Sequence, residues 1–261
     1  MVLTNEQSLP DHTPLLLLRG LTREQRHWGE FVPILAEKLP NPVLCFDFAG
    51  AGELYQERSP TTISGLRQSV RNQWQQHKSA QKTARVHLVA LSLGGMLAID
   101  WALAYPDEVA SVTLINSSAR PLAPFYQRLR WQNYPAIASV FWLSAASREQ
   151  RILQLTSARA YQNPAIVANW QRWQQQKPVS MANALRQLFA ASRFTLLQPL
   201  LCPTLVLSSQ ADKLVNPQCS VALANFLQAP HQQHPWAGHD IALDDPNWLA
   251  AHIAAFVSQS A

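Results

Sequence analysis

Three polar residues, Ser92, Asp212 and His239, occur in an order and in local contexts that suit acyl chemistry. Ser92 follows the apolar run Val86–Leu91, and a helical pattern begins directly after it. A serine in a sharp turn between a strand and a helix has its hydroxyl pushed clear of the sheet, where it can act as a nucleophile. Asp212 follows a second apolar run, 203–207, and His239 lies 27 residues further on. A histidine can supply the base that such a serine needs, and an acid can orient the histidine.

The residues around Ser92 depart slightly from the usual pattern Gly-x-Ser-x-Gly, in which the small residues prevent collisions within the turn. Ala90 replaces the first glycine, and Gly94 keeps the second. Ser92 has a simpler interpretation as the N-cap of a helix over 93–105, because serine is a favoured N-cap residue. The order serine, acid, histidine along the chain favours the nucleophile, since this order is typical of one fold family.

Two early segments extend the comparison with that family. The run Leu15–Leu18 leads to Arg19 and Gly20, and Trp28 follows. An Asp-x-x-Gly-x-Gly sequence begins at Asp47. With these segments the chain resembles the α/β-hydrolase family over nearly its whole length, although Arg19 stands where the family commonly has histidine.

The resemblance implies a role for each residue. Ser92 would attack a carbonyl carbon, and His239 would take its proton and later protonate the leaving group. Asp212 would hold the imidazole in the useful tautomer and stabilise the imidazolium. The backbone N–H groups of Leu21 and Leu93 would bind the developing oxyanion. This chemistry needs no cofactor, and no cluster of potential ligands has the spacing of a metal site.

Two other acids compete with Asp212 for the position beside His239. Asp47 lies in a turn after an early strand, where an aspartate side chain commonly bonds to local backbone. Asp240 adjoins His239 and cannot easily reach back to its Nδ1 atom. A variant of the family places the acid after the preceding strand, but the segment 116–118 contains no acid. We therefore expect Asp212 to pair with the histidine.

Arg19, Gly20 and Trp28 are the candidate substrate-binding residues, because they belong to the loop that would carry the oxyanion donor. Arg19 has two interpretations that the sequence leaves open. It could form a structural ion pair with a nearby acid, or it could hold a substrate carboxylate or phosphate with its guanidinium fork.

Strand and helix patterns alternate along most of the chain. Strands are predicted near 14–18, 42–47, 85–91, 109–116, 203–209 and 230–234, and helices near 28–39, 62–78, 93–105, 217–227 and 246–258. Continuous apolar strands suit a parallel sheet that is covered on both faces. The alternation therefore predicts an α/β-hydrolase fold with a doubly wound, mostly parallel sheet of about six strands. The two opening strands of the family pattern are reduced or missing, although residues 2–4 could form a fragment.

The alternation breaks over residues 119–195, where α/β-hydrolases commonly insert a helical cap. We therefore expect a core of residues 1–118 and 196–261. The cap would carry nine arginines and Lys177 against a single acid, Glu149, a formal charge of +9 that leaves −4 for the rest of the chain. The arginines could be solvated faces of amphipathic helices. Alternatively, they could attract an anionic partner such as an acidic carrier protein or a coenzyme A thioester.

Composition excludes several other classes. A chain of 261 residues that is 48% apolar suits one α/β domain with a large core. No apolar run reaches the length of a membrane span, and residues 1–14 do not read as a signal peptide. Three cysteines, none of them in a Cys-x-x-Cys pair, suit a reducing compartment, so we expect a cytoplasmic protein. No nucleic-acid-binding module is evident.

These features together predict a serine hydrolase that cleaves a carboxylic ester or thioester through an acyl-enzyme. The chain is similar to small carboxylesterases, including the type that acts on pimeloyl-carrier-protein methyl esters. Its substrate could be an anionic or carrier-linked acyl group. One alternative is a cofactor-free lyase of the menaquinone-pathway type, which uses the same three residues without hydrolysis. A non-catalytic ligand receptor is a further alternative, which the intact set of three residues disfavours.

Overall fold

A computed structural model describes residues 13–260 apart from 78, 80–82, 84, 140 and 141. The fragment suggested for residues 2–4 lies outside the described residues. No helix in the described part of the chain is both long enough and apolar enough to cross a membrane.

A parallel sheet forms the centre of the molecule. Its strands are β1 (Leu15–Leu18), β2 (Val43–Cys45), β3 (Val86–Leu91), β4 (Val109–Ile115), β5 (Thr204–Ser209) and β6 (His231–His234). In the described residues they form one sheet in the order β2-β1-β3-β4-β5-β6, and every neighbouring pair is parallel. The sequence-based prediction of six parallel strands is therefore confirmed, with each strand within two residues of its predicted bounds.

Helices cover both faces of this sheet. They are α1 (Phe31–Lys38), α2 (Ile63–Gln76), α3 (Leu93–Ala104), α4 (Phe125–Arg128), α5 (Tyr134–Ser139), α6 (Ala145–Thr156), α7 (Pro164–Gln176), α8 (Met181–Arg193), α9 (Gln218–Leu227), α10 (Ile241–Asp244) and α11 (Pro246–Gln259). Alternate residues of a strand point to opposite faces. Leu16 and Leu18 accordingly pack with residues of α2, α3 and α9, whereas Leu15 and Leu17 pack with residues of α1, α10 and α11. The sheet is therefore doubly wound, as predicted.

The first helix begins later than its apolar pattern suggested. A short 3-10 turn occupies Gln25–Trp28, and Gly29 follows it with a φ of 52°. Glycine adopts this left-handed region without the Cβ clash that other residues meet, so the chain changes direction there. The continuous helix α1 therefore starts at Phe31, not at residue 28.

Helices α4 to α8 lie between β4 and β5 in the chain, within the segment predicted to be a cap. The two ends of that segment lie side by side, because Arg120 and Thr195 form an isolated β-bridge. Leu196 donates its backbone N–H to the Arg120 carbonyl at 2.7 Å. The insertion therefore leaves and rejoins the sheet at one place, so it does not disturb the pairing of β4 with β5.

Candidate active site

Ser92 occupies the sharp turn between β3 and α3. Its backbone has φ 56° and ψ −113°, a conformation that residues other than glycine rarely adopt. The surrounding backbone fixes this conformation, since the Ser92 N–H donates to the Ile115 carbonyl at 2.8 Å and the Ser117 hydroxyl donates to the Ser92 carbonyl at 2.8 Å. Strain of this kind persists where neighbouring contacts over-determine it, commonly at functional sites.

Two glycines allow the strand ends to approach this turn closely. A Cβ atom on Gly94 would lie 2.5 Å from the Leu18 carbonyl oxygen, so no larger residue fits without backbone movement. A Cβ atom on Gly20 would lie 3.3 Å from the Ser92 Cβ atom. The loop after β1 therefore passes directly beside Ser92. Ala90, the departure from the usual pattern, is buried within β3 and pairs in register with Leu18.

The structure brings Asp212 and His239 together. His239 Nδ1 lies 2.7 Å from Asp212 Oδ2, and both residues are buried. The other carboxylate oxygen of Asp212 accepts the backbone N–H groups of Leu214 and Val215, at 2.8 and 2.9 Å. The turn after β5 thus holds the carboxylate in one orientation toward the imidazole.

The surroundings of His239 change its pKa in opposing directions. Burial alone lowers the pKa of His239, because desolvation disfavours the charged imidazolium. The Asp212 carboxylate, through its charge and its hydrogen bond, raises the pKa, as does the charge of Asp240. The net direction is upward from the ordinary value of 6.5. The site therefore favours a proton on His239 more than water does.

The two competing acids have other partners. Asp47 accepts backbone N–H groups from Gln25 at 2.7 Å and from Glu53 at 2.9 Å, so it orders local turns. Asp240 forms a two-pronged contact with Arg19, with N–O distances of 2.5 and 3.2 Å. Among the described residues, Asp212 is the acid bonded to His239.

Arg19 is neutralised within the protein. Its side chain and that of Asp240 are each 3% exposed, and its guanidinium also lies 4.7 Å from the ring centroid of Trp28. Trp28 is 1% exposed and packs against Phe31, and it does not line the cavity beside Ser92. Arg19 therefore forms the structural ion pair that was one of its two interpretations, and the ring of Trp28 packs against its guanidinium.

We expect loss of the Asp240 charge to destabilise the fold strongly. Asp240→Asn leaves the Arg19 charge buried without a partner, which costs about 3–5 kcal/mol in comparable buried pairs. The double variant Arg19→Met/Asp240→Asn removes both charges, so its free energy of unfolding should recover most of that loss. Urea unfolding of the three proteins measures the difference. If the single and double variants lost the same free energy of unfolding, the unpaired charge of Arg19 would not be the cause of the loss.

The β1–α1 loop (residues 19–30), which includes Leu21, is held by the inserted helices. Thr22, with φ 59°, donates its N–H to the side-chain oxygen of Gln187 in α8 at 2.9 Å. Arg23 pairs with Glu149 of α6, with Nη1 and Oε2 2.6 Å apart and both side chains buried. The single acid of the inserted segment therefore faces inward and fixes this loop. No pattern in the sequence indicated this contact.

His27 completes this contact between the loop and the insertion. Its ring packs edge-on against Trp170 and Trp173 of α7, with centroids 4.7 and 5.2 Å apart. Burial lowers the pKa of His27 well below its ordinary value, and the charge of Arg23 lowers it further. The neutral ring therefore acts as part of an aromatic contact.

Asn116 is a supporting residue that the sequence did not identify as one. It follows β4 with a φ of 46°. Its side-chain NH₂ group donates to the His239 carbonyl at 2.8 Å and to the Ser209 hydroxyl at 2.9 Å, and its oxygen accepts the Ser209 N–H. Asn116 thereby connects the ends of β4 and β5 to the loop that carries His239. An asparagine directly after a buried strand was the available signal, since asparagine tolerates positive φ.

A cavity of about 470 Å³ brings the candidate residues together. Ser92, His239, Gly20, Leu21 and Leu93 line one end of it. The remaining wall comes mainly from apolar side chains of the inserted segment, including Ile137, Ile152, Leu155, Val179, Leu185 and Leu188. An apolar cavity with a few convergent polar groups is typical of a small-molecule site.

Comparison with known proteins gives the family. The model of the alpha/beta hydrolase family matches residues 15–252. The chain belongs to the alpha/beta hydrolase family. It is therefore an enzyme of that family, with the fold and element order already described.

The proteins that resemble the chain carry different names. A protein named carbamate hydrolase RutD, from Pantoea ananatis, is 28% identical over 65% of this chain and 62% of that protein. The biotin biosynthesis bifunctional protein BioHC of Teredinibacter turnerae is 24% identical over 97% of this chain, which spans 46% of its length. The structure of a Thermogutta terrifontis esterase matches 95% of this chain and 90% of that chain, with a TM-score of 0.74 and 21% identity. The structural match establishes the fold alone.

Proposed function

We propose that the protein is a serine hydrolase that cleaves a carboxylic ester or thioester through an acyl-enzyme. The observation that carries the proposal is the 2.7 Å contact of His239 Nδ1 with Asp212, at the end of a cavity that Ser92 also lines. With Nδ1 bonded to the acid, the other ring nitrogen is left to act on the serine. Ser92 is then the nucleophile, and His239 serves first as general base and then as general acid.

Leu21 and Leu93 supply the backbone N–H groups for the oxyanion in this proposal. Leu93 begins α3, so its N–H belongs to the positive end of the helix. Leu21 is in the loop that Gly20 brings beside Ser92. Two such donors on opposite sides of the attacked carbonyl would stabilise the charge that develops on its oxygen.

The charge of the inserted helices supports an anionic leaving group or carrier. Glu149, the single acid of residues 119–195, is 1% exposed and already paired. The arginines that remain on the surface of the segment are Arg120, Arg151, Arg159, Arg172 and Arg193. We therefore include acyl groups carried on coenzyme A or on an acidic carrier protein among the proposed substrates.

Covalent labelling tests the proposed nucleophile. We expect a fluorophosphonate probe to form one adduct on the native protein, and peptide mapping by mass spectrometry should place it on Ser92. Ser117 and Ser118 serve as internal controls, and fragmentation of the peptide must separate them from Ser92, because no lysine or arginine lies between Arg85 and Arg120. Heat-denatured protein controls for non-specific reaction. An adduct on any other residue, or none, would contradict the proposal.

A substrate panel distinguishes hydrolysis from the alternatives. Turnover of phenyl hexanoate and of a matched thioester would favour a hydrolase over a lyase that uses the same residues. A phenyl carbamate extends the panel, because relatives of this chain are named as carbamate hydrolases. A protein that is labelled at Ser92 but turns over none of these compounds would support the lyase instead.

A further inference from the structure

A buried arginine, Arg128, lies in the wall of the cavity without a carboxylate partner. It is the last residue of α4 and is 9% exposed. Its guanidinium donates to the carbonyl oxygens of Ala191 and Ser192, at 2.6 and 3.3 Å, and to the Ser118 hydroxyl at 3.4 Å. All three acceptors are neutral. None of the ion pairs formed by the described residues includes Arg128.

The other two buried arginines that line the cavity differ from Arg128 in this respect. Arg19 is neutralised by Asp240, and Arg23 is neutralised by Glu149. The sequence left open whether Arg19 holds a substrate anion, and in the structure its guanidinium is paired with Asp240. Among the buried arginines that line the described part of the cavity, Arg128 therefore has no acidic side chain to balance its charge.

The contacts of Arg128 with α8 explain its position but do not neutralise it. Ala191 and Ser192 belong to the last turn of α8, where carbonyl groups lack helical partners and favour a cation. The end of a helix carries only about half an elementary charge. Burial lowers the pKa of Arg128, and the charge of Arg120 also acts in that direction, so the surroundings disfavour the guanidinium charge.

We propose that Arg128 binds an anionic group, such as a carboxylate, at the distal end of the acyl chain of the substrate. The inference rests on the proposed function, because it requires an acyl group bound at Ser92. Nε, Nη1 and Nη2 of Arg128 each donate one hydrogen to the neutral acceptors, so a carboxylate would accept from the remaining Nη hydrogens and balance the guanidinium charge. The enzyme would then prefer ω-carboxyacyl esters or thioesters over neutral acyl compounds of the same length.

The position of Arg128 sets the length of chain that could reach it. Arg128 Nη2 lies 3.9 Å from the sulfur of Met96, which is four residues after Ser92 and also lines the cavity. Four residues of helix advance about 6 Å along the axis. The guanidinium is therefore on the order of 10 Å from Ser92, and most of the residues that line the cavity are apolar. This separation suits a short aliphatic chain with a charged end.

The test compares two esters of equal chain length, monophenyl adipate and phenyl hexanoate, by phenol release. We expect the wild-type protein to have the higher kcat/KM for the adipate ester. Arg128→Met should lower the ratio of the two values about 10- to 100-fold, as for the loss of a charged hydrogen bond. Arg128→Lys should retain part of the preference, because it keeps the charge without the fork. A ratio measured on one protein sample does not depend on the fraction that is folded.

Arg151→Met is the matched control. Arg151 is exposed on α6 and does not line the cavity, so its removal changes the charge of the insertion equally and should leave the ratio unchanged. The inference falls if wild-type protein shows no preference for the adipate ester, or if Arg128→Met leaves the ratio as it was. It also falls if Arg151→Met lowers the ratio as much, since general attraction would then explain the preference. Failure to hydrolyse either ester would instead contradict the proposed function.

Discussion

Ser92→Ala should lower kcat for phenyl hexanoate by about 10⁵- to 10⁶-fold, and His239→Ala should lower it by a similar factor. The serine and its base act as one unit, because the hydroxyl attacks only as its proton is removed. The double variant should therefore be no slower than either single variant by more than a small factor. This non-additivity separates a shared catalytic step from two unrelated defects.

The measurement needs proteins that are folded and free of wild-type enzyme. Ser92→Ala keeps the backbone contacts of the turn, which use the main-chain N–H and carbonyl of residue 92 rather than its hydroxyl. Ser64→Ala, in the exposed first turn of α2, is the control and should match the wild-type rate. Residual activity above about one hundredth of the wild-type value in Ser92→Ala would mean that another group is the nucleophile.

The central strands of the sheet were readable from the sequence because strands buried on both faces are continuous apolar runs. The run Val86–Leu91, for example, is buried throughout and begins within one residue of its prediction. The start of α1 was not readable, because it depends on the backbone conformation of Gly29. Local pattern fixes the type of an element more firmly than its bounds.

The candidate site also has features that the sequence indicates and features that it does not. The positions of Ser92, Asp212 and His239 at strand ends were readable from the sequence, because each follows a predicted strand. The buried pairs of Arg19 with Asp240 and of Arg23 with Glu149 were not readable, since the partners are 221 and 126 residues apart in the chain. Because these two pairs neutralise Arg19 and Arg23, Arg128 is left as the buried cavity arginine without an acidic partner among the described residues. The proposed substrate preference therefore rests on contacts that only the folded chain displays.

Asp212→Asn should lower kcat/KM by about 10⁴-fold and also change its dependence on pH. In other enzymes with this arrangement, the same substitution leaves the geometry nearly intact but favours the wrong tautomer of the histidine. An amide can donate to Nδ1, which would direct a proton to the nitrogen that must accept one from Ser92. The factor should be smaller than for Ser92→Ala, since nucleophile and base both remain.

The sign of the pH effect follows from the causes acting on His239. The base is active only when neutral, so kcat/KM of the wild-type enzyme should rise with pH through the raised pKa of His239, above 6.5. Loss of the Asp212 charge removes the main cause that raises this pKa, while the lowering effect of burial remains. The acidic limb of Asp212→Asn should therefore lie at lower pH than that of the wild-type enzyme.

Asp107→Asn provides the control for this titration, because Asp107 is exposed after α3 and far along the chain from either residue. It should change neither the plateau nor the acidic limb. A lower plateau in Asp212→Asn without a shift of the limb would indicate that Asp212 orients the imidazole but does not stabilise its charge. An unchanged plateau would mean that a different acid holds His239 during the reaction. The plateau and the acidic limb thus distinguish orientation of the imidazole from stabilisation of its charge. The 2.7 Å contact of Asp212 with His239 is consistent with both roles.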